Sequence, residues 1–255
     1  MTRNIDLLHI LIGIDDTDNN DSPGSGSAAE QLARELCSNG LAQCQGITRH
    51  QLYVHSEIPY TSHNSSMCIP ARIHGDRLGD IISFGQSFLQ SNSAKGSDPG
   101  LCVVVDDSGL DRDALIQYGQ QAKEIILDKT AAYGLAEDLG VHLSEHGGTG
   151  GGVIGALAAI GLRLSGNDGR YRGWHFPDNA GLPVSVADLC SQTSADAVVT
   201  EDGQRLAPAD QVLLAKDPVK TVLMNGLCVI PVAPTDNASA GPKWTTMPKK
   251  AMKRF

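Results

Sequence analysis

Four carboxylates stand within seven residues near the start of the chain, at Asp15, Asp16, Asp18 and Asp21. They follow HILIGID, a short isoleucine-rich run of the kind that forms a buried strand ending at a ligand-binding loop. Clustered carboxylates repel one another unless water solvates them or a cation lies between them, and Mg²⁺ with bound phosphates is a common such cation. The alternative is a solvated turn whose Asp and Asn side chains cap the next helix. The strand that runs directly into the acids favours the metal.

A second chemical feature is rich in glycine: Gly147, Gly148, Gly150, Gly151 and Gly152 surround Thr149. Consecutive N–H groups without Cβ atoms can fold into an anion-binding nest, and a following helix adds its N-terminal partial charge. The run is not a Walker loop, because no Gly-Lys-Ser/Thr follows, and Val153 stands where a dinucleotide fingerprint needs its third glycine. A flexible linker is the alternative, although a linker seldom opens directly onto a compact helix. We therefore predict a phosphate site.

Two further polar features give weaker signals. Six of the eight histidines lie at positions 50, 55, 63, 74, 142 and 146, and none of them forms an HExxH pair. His142 and His146 fall in a predicted strand and loop, where we do not expect their spacing to bring them to one face. Surface or pocket-edge roles are therefore favoured over zinc. The polar run at 60–66 follows Ile58-Pro59 and is typical of a surface turn.

Composition excludes several classes of protein. The 255 residues suffice for one large domain or two ordinary ones, and six cysteines without a CxxC pair indicate reduced core thiols. No run approaches the roughly 18 apolar residues of a membrane helix, and the N-terminal run is too short for a signal peptide, so we expect a cytoplasmic protein without a membrane partner. The net charge of -9 disfavours a wide nucleic-acid face. That charge divides into a body at -14 and a segment, 243–255, with five basic residues and no acid.

Secondary structure must position these loops. The pattern predicts a strand at 9–15 and an amphipathic helix at 27–40, which form a strand-loop-helix unit around the acids. A second such unit leads through the glycine loop into a helix that begins near Val153. The other predictions are strands at 47–59, 66–75, 101–107 and 170–176, a loop or hinge at 93–100, one long helix at about 111–140, a short helix at 184–193, and a strand pair or bend at 221–234.

Taken together, four segments resemble the tRNA-isoleucine agmatidine (2-agmatinylcytidine) synthetase, or TiaS, family in order and spacing. The resemblance covers about residues 9–230. The segments are IGIDDTDNNDSPGSG at 12–26, HSEIPYTSHNSS at 55–66, the predicted helix at 111–140 and GGTGGGVIGALAAIG at 147–161. The last of these segments is the most specific match to the family, and the segment with the acidic loop is the second most specific.

The resemblance implies an enzyme that uses ATP and Mg²⁺ to phosphorylate position two of a cytosine, after which the amine of agmatine displaces the phosphate. Phosphoryl transfer of this kind relies chiefly on positioning and on charge stabilisation by metal and N–H groups. Asp15, Asp16 and Asp18 would be the catalytic residues and the Mg²⁺ ligands. The residues that would bind ATP are Thr17, Gly148, Thr149, Gly150, Gly151 and Gly152.

The chain also departs from the family pattern. His63, Asn64 and Ser65 occupy positions of the family's basic Lys-Thr-Arg-Gly-Asn loop and would bind the second substrate. In the glycine loop, Gly151 occupies the position of a family Arg. The OB-fold and zinc ribbon that hold tRNA in family members have no counterpart here. The implied fold class is α/β (α+β), with a kinase-like domain at 1–96, a ferredoxin-like domain with the glycine loop at 97–240 and a basic tail at 241–255.

Three functions follow from these patterns. The leading one is a Mg²⁺-ATP-dependent, TiaS-like kinase or ligase whose acceptor is a small molecule or an RNA. The second is a nucleotide-sensing or partner-binding protein that kept the fold without catalysis, because the family's Lys and Arg positions are replaced. The third is a tRNA-modifying enzyme that uses a separate subunit to hold tRNA and makes a weak RNA contact of its own through Lys243, Lys249, Lys250, Lys253 and Arg254. A homo-oligomer is an open alternative in each case.

Overall fold

The computed structural model describes residues 7–61, 63–235 and 241–255. The chain forms two compact units, Met1–Ser165 and Gly166–Phe255. The elements of the first unit are β1 (Leu7–Asp15), α1 (Ser25–Ser38), β2 (Gln43–Cys44), β3 (Thr48–Gln51), β4 (Ser65–His74), α2 (Leu78–Asn92), β5 (Gly100–Val105), α3 (Arg112–Gln121), α4 (Lys129–Asp138), β6 (His142–Glu145) and α5 (Gly152–Leu164).

The sheet of the first unit is antiparallel, with the order β6-β5-β1-β4-β3, and β2 also pairs with β4. Its central strand is β1, in which Ile12 pairs with Ile69 of β4 on one side and with Val103 of β5 on the other. The predicted domain boundary between residues 96 and 97 falls inside this unit, because β5, which follows it, pairs with β1, which precedes it.

Helices cover both faces of this sheet. Ile10, Ile12 and Ile14 of β1 belong to a core shared with α1 and α2. Leu11 belongs to a second core, shared with α3, α4 and α5. Because successive strand residues face opposite sides, Asp15 continues the series of Leu11 and points to the face that α5 covers. The alternation of side chains along β1 therefore places Asp15, the first carboxylate of the acidic loop, against the N-terminal part of α5.

The structure corrects two of the predicted elements and adds one that was not predicted. The long helix at 111–140 is two helices, α3 and α4, and the second begins where the Asp128 side chain accepts a hydrogen bond from the Ala131 N–H (2.8 Å). Helix α2 was not predicted at all. The strand predicted at 47–59 ends at Gln51, and the rest of that segment is loop.

The second unit holds β7 (Arg170–Tyr171), β8 (Pro183–Ser185), α6 (Val186–Thr193), β9 (Ala197–Thr200), β10 (Gln211–Leu213), β11 (Val222–Met224), β12 (Leu227–Pro234) and β13 (Trp244–Thr246). Strand β12 pairs with β11, β13 and β9, and β13 continues through β10 to β8. The segment predicted as a basic tail is thus partly folded: β13 joins the sheet, and Met252 is only 2% exposed. Within the described residues, no helix combines the length and the apolar character that crossing a membrane requires.

Candidate functional site

Five connecting segments of the first unit surround a cavity of about 220 Å³. They are the acidic loop after β1, the polar loop before β4, the turn before β5, the connection between α3 and α4, and the glycine loop before α5. The polar lining consists of Asp15, Asp16, Asp18, Ser25, Glu57, Thr61, His63, Asn64, Ser65, Asp98 and Thr149, with Gly151, Gly152 and Gly155 beside them. The fold therefore brings the acids together with the glycines, although more than 120 residues separate them in the sequence.

Asp15 is the innermost carboxylate. Its side chain lies against Gly155 of α5, so closely that a Cβ atom at position 155 would stand 1.8 Å from Asp15 Oδ2. Burial, reinforced by repulsion from Asp16 and Asp18, raises the pKa of Asp15 to about 8. The carboxyl group is consequently protonated at neutral pH unless a cation arrives to stabilise its charge.

Asp16 has a left-handed backbone, with φ of 51°. Aspartate tolerates this conformation better than most residues, and the turn it makes redirects the chain at the end of β1. Burial and the neighbouring Asp98 and Asp18 raise the pKa of Asp16 to about 6, although the N–H of Asp98 donates to it. A carboxylate with this pKa can take up or release a proton near neutral pH.

Asp18 and Thr17 organise the acidic loop. Asp18 Oδ1 accepts hydrogen bonds from the N–H (2.9 Å) and the hydroxyl (2.7 Å) of Ser25, at the start of α1. Asp18 Oδ2 accepts one from the Thr61 hydroxyl (2.9 Å). Thr17 is 4% exposed, and its hydroxyl donates to Ser25 Oγ (3.1 Å). Asp18 therefore joins the acidic loop to α1 and to the polar loop, while Asp21 is exposed and does not line the cavity.

The number and arrangement of the carboxylates decide which kind of metal ion the cavity could hold. In the described part of the chain, no three His, Cys, Asp or Glu side chains are arranged to hold a metal ion by themselves. Magnesium bound with a nucleotide needs fewer, since it commonly takes one or two carboxylates and fills its other positions with phosphate oxygens and water. Burial raises the pKa values of Asp15 and Asp16 most, and repulsion from neighbouring aspartates adds to it; a shared cation would relieve that repulsion. The residues fit Mg²⁺ that arrives with phosphates.

The glycine loop is held by a residue that the sequence patterns did not identify. Asp98 Oδ1 accepts the Thr149 N–H (2.5 Å), Oδ2 accepts the Thr149 hydroxyl (2.7 Å), and the Asp98 carbonyl accepts the Gly152 N–H (2.9 Å). Gly148 and Gly150 have φ of 54° and 74°, and a Cβ at Gly148 would lie 1.5 Å from Asp98 Oδ1. Glycine is required here for backbone conformation and for space.

The polar loop before β4 lies beside the same cavity. Asn64 uses its side chain to donate to the Tyr53 carbonyl (2.6 Å), and Ser65 Oγ accepts from Arg49 Nε (2.9 Å). His63 is exposed and lines the cavity. Asn64 and Ser65 therefore shape the loop, and both line the cavity together with His63.

One wall of the cavity is apolar. It includes Ile125 and Ile126, which are 50% and 45% exposed, and Tyr60, which is 44% exposed. The two isoleucines lie in the connection between α3 and α4. Predicting one continuous helix across this connection hid the wall, and the capping residue Asp128 was the signal that could have revealed it.

The histidines at 142 and 146 share one face after all. Ser144 Oγ lies 2.9 Å from His142 Nε2 and 2.8 Å from His146 Nε2. Our expectation about their spacing was wrong, because in an extended strand residues i, i+2 and i+4 face the same side. Burial lowers the pKa of both imidazoles.

Comparisons with known proteins agree with this architecture. No protein-family model matches the chain, and no curated protein does. Among solved structures, the chain is similar to a complex of TiaS with an isoleucine tRNA and ATP (20% identity, TM-score 0.53, 60% of this chain and 36% of that chain). It is also similar to a tRNA fluorescent labeling enzyme (20%, 0.53, 71% and 42%) and to a complex of TiaS with the same tRNA, AMPCPP and agmatine (17%, 0.52, 71% and 43%).

At this level of identity the similarity establishes the fold. The chain has a mixed α/β, TiaS-like fold and spans about two fifths of the length of those proteins.

Proposed function

We propose that the protein is a Mg²⁺- and ATP-dependent enzyme that phosphorylates or otherwise activates an acceptor. The observation that carries the proposal is the Asp98 bridge: one residue contacts both the acidic loop, at Asp16, and the glycine loop, at Thr149. The carboxylates proposed for a metal and the glycine loop proposed for the phosphates thus meet at one cavity. Phosphoryl transfer relies on a metal and on positioned groups that stabilise the charge of the phosphates.

The proposed roles follow from the contacts of each carboxylate. Asp16 and Asp15 would hold Mg²⁺ together with the triphosphate, since their raised pKa values indicate that a cation would stabilise their charged forms. Asp18, whose two oxygens already accept three hydrogen bonds, would act by holding the loop. Bound Mg²⁺ would neutralise the phosphates. The glycine loop, whose Thr149, Gly151 and Gly152 line the cavity, would receive them at the N-terminus of α5.

The acceptor would lie against the polar loop and the apolar wall. His63 supplies a polar ring, and Ile125, Ile126 and Tyr60 supply apolar surface for a flat or aliphatic body. In phosphoryl transfer, a nucleophilic atom of the acceptor bonds to the γ-phosphorus while the bond to the departing ADP oxygen breaks. The similar TiaS structures hold tRNA with ATP, and tRNA with AMPCPP and agmatine. For this chain, a small molecule and an RNA are both candidate acceptors.

The direct test is product analysis. The chain would be incubated with ATP and Mg²⁺, first alone and then with candidate acceptors, and the nucleotide products separated by chromatography. Release of ADP would indicate phosphoryl transfer, and release of AMP would indicate adenylyl activation. Binding of ATP with no turnover across acceptors would favour the alternative of a non-catalytic, nucleotide-sensing protein.

RNA contact by the C-terminal basic segment is a second proposal, with an observation of its own in the second unit. His175 and Val219 form an antiparallel bridge, which places Lys220 across from Trp174. Lys220 Nζ lies 4.7 Å and Lys249 Nζ 5.5 Å from the Trp174 ring centroid. Phe176, two residues after Trp174, is 79% exposed. Cations beside aromatic rings are typical of single-stranded nucleic-acid surfaces.

Three further expectations stay predictions. They are a kinase-like and a ferredoxin-like domain, a homo-oligomeric state, and a cytoplasmic location.

A further inference from the structure

A lysine reaches the glycine loop from the neighbouring helix. Lys129 is the first residue of α4, and its Nζ donates to the Thr149 carbonyl (2.6 Å) and to Glu145 Oε2 (3.0 Å). The cap that Asp128 places on α4 fixes the backbone from which this side chain extends. Thr149 is thus held from two sides, by Asp98 through its N–H and hydroxyl and by Lys129 through its carbonyl.

The charge around the cavity shows why this lysine matters. Four of the described lining residues are aspartates, at 15, 16, 18 and 98, and none of the described lining residues is Lys or Arg. A nucleoside triphosphate would add more negative charge at the same place. Lys129 brings a positive charge to the glycine loop through its contact with the Thr149 carbonyl.

Local stability does not account for the arrangement. The Lys129 and Glu145 side chains are 41% and 43% exposed, and ion pairs at such exposure contribute little to folding. A lysine ammonium has three N–H donors. Two of them serve Thr149 and Glu145, which leaves the third for an anion that binds the loop.

We propose that Lys129 supplies the cation of the phosphate site: it holds the glycine loop through the Thr149 carbonyl and attracts the terminal phosphates of the nucleotide. The inference rests on the proposed nucleotide function and deepens it. Glu145 orients the ammonium and partly offsets its charge, so the strength of the site depends on both residues. Lys129 thereby positions the loop through Thr149 and also contacts the phosphates directly.

The test is a series of isothermal titrations with AMP, ADP and ATP in Mg²⁺ at constant ionic strength. The native chain would be compared with Lys129→Met, Lys129→Arg, Glu145→Gln and the control Lys216→Met, an exposed lysine of the second unit. We expect Lys129→Met to weaken ATP binding by about tenfold or more, as loss of a charge-assisted hydrogen bond does. The loss should be smaller for ADP and smallest for AMP. Lys129→Arg should restore most of the affinity, and Glu145→Gln should tighten ATP.

The outcomes separate the two proposals. A purely structural lysine would weaken all three nucleotides equally, and that result, or unchanged ATP affinity in Lys129→Met, would overturn the assignment while leaving the nucleotide function intact. If the native chain binds no nucleotide, both proposals fail. Circular dichroism of each variant checks that it is folded, and Lys129→Arg keeps the charge and the donors if the Met variant does not fold.

Discussion

Asp98 and Thr149, 51 residues apart, are joined by two hydrogen bonds: both carboxylate oxygens of Asp98 accept, one from the Thr149 N–H and one from its hydroxyl. The same carboxylate contributes to the raised pKa of Asp16. One side chain thus connects the shape of the phosphate-binding loop to the electrostatics of the acidic loop. This connection makes the cavity a single site.

Asp98→Ala is therefore expected to weaken ATP binding by about tenfold. Losing the acceptor of two hydrogen bonds, each worth about 1 to 3 kcal/mol, loosens the glycine loop. Isothermal titration measures the effect, with the exposed Asp138→Ala as the control. Asp98→Asn, which keeps one acceptor oxygen, should fall between. If Asp98→Ala binds ATP more tightly than the native chain, Asp98 competes with the phosphates and does not position their loop.

The contact between Gly155 and Asp15 gives a second prediction. A methyl group at position 155 would lie 1.8 Å from Asp15 Oδ2, so Gly155→Ala must displace the carboxylate or the helix. We expect a destabilisation of about 1 to 3 kcal/mol in urea unfolding, together with loss of ATP binding. Gly134→Ala, in α4 with no atom within 4 Å of the added Cβ, is the matched control and should stabilise by about 0.5 to 1 kcal/mol. Native-like behaviour of Gly155→Ala would refute the packing described for Asp15.

The acidic loop and the glycine loop could be predicted from the sequence, but the Asp98 contacts that connect them could not. The end of HILIGID and the five glycines were visible because each has a local signature, an apolar run stopping at acids and a run without Cβ atoms. Asp98 carries no such signature: it lies in a turn that was predicted only as a loop or hinge, and its importance depends on a contact 51 residues away.

Local sequence pattern also failed to reveal two features of the site, one in the apolar cavity wall and one beside the glycine loop. Lys129 and the Ile125-Ile126 pair were hidden inside one predicted helix, because the spacing of apolar residues continued across a break that only the cap at Asp128 marks. Long-range pairing decided the domain boundary as well, since β5 joins β1 across the position of the predicted cut. Local pattern gives the elements, and tertiary contact decides which of them act together.

Asp15 predicts an unusual dependence of stability on pH. Its pKa is about 8 in the folded chain and 3.8 as an ordinary carboxyl group, so the folded state binds a proton that the unfolded state releases. The resulting stabilisation is full below about pH 4 and is lost as pH rises through about 8. Urea unfolding in EDTA should show this decline, and Asp15→Asn should flatten it and exceed the native stability at about pH 9. Asp138→Asn serves as the control, and an equal slope in native and Asp15→Asn chains would contradict the assigned burial.

RNA contact at Trp174 can be measured by fluorescence, because the chain has only two tryptophans. In a Trp244→Phe background, Trp174 is the sole indole. Single-stranded RNA that stacks on it should quench its emission, and binding should weaken with salt. Lys249→Ala should reduce both the affinity and the salt slope, while Lys216→Ala should change neither by much. Unchanged emission throughout an RNA titration would show that RNA does not bind at Trp174.

Mg²⁺-dependent binding of ATP at the acidic loop is tested most directly by an ATP titration with and without Mg²⁺, performed on the native chain and on Asp16→Asn. Asparagine tolerates the left-handed backbone at this position, so the variant removes the charge and keeps the turn. We predict saturable binding to the native chain that requires Mg²⁺, and at least about tenfold weaker binding to Asp16→Asn with an unchanged unfolding midpoint. Native binding that is absent or indifferent to Mg²⁺, or an Asp16→Asn chain that binds as tightly as the native one, would contradict the account.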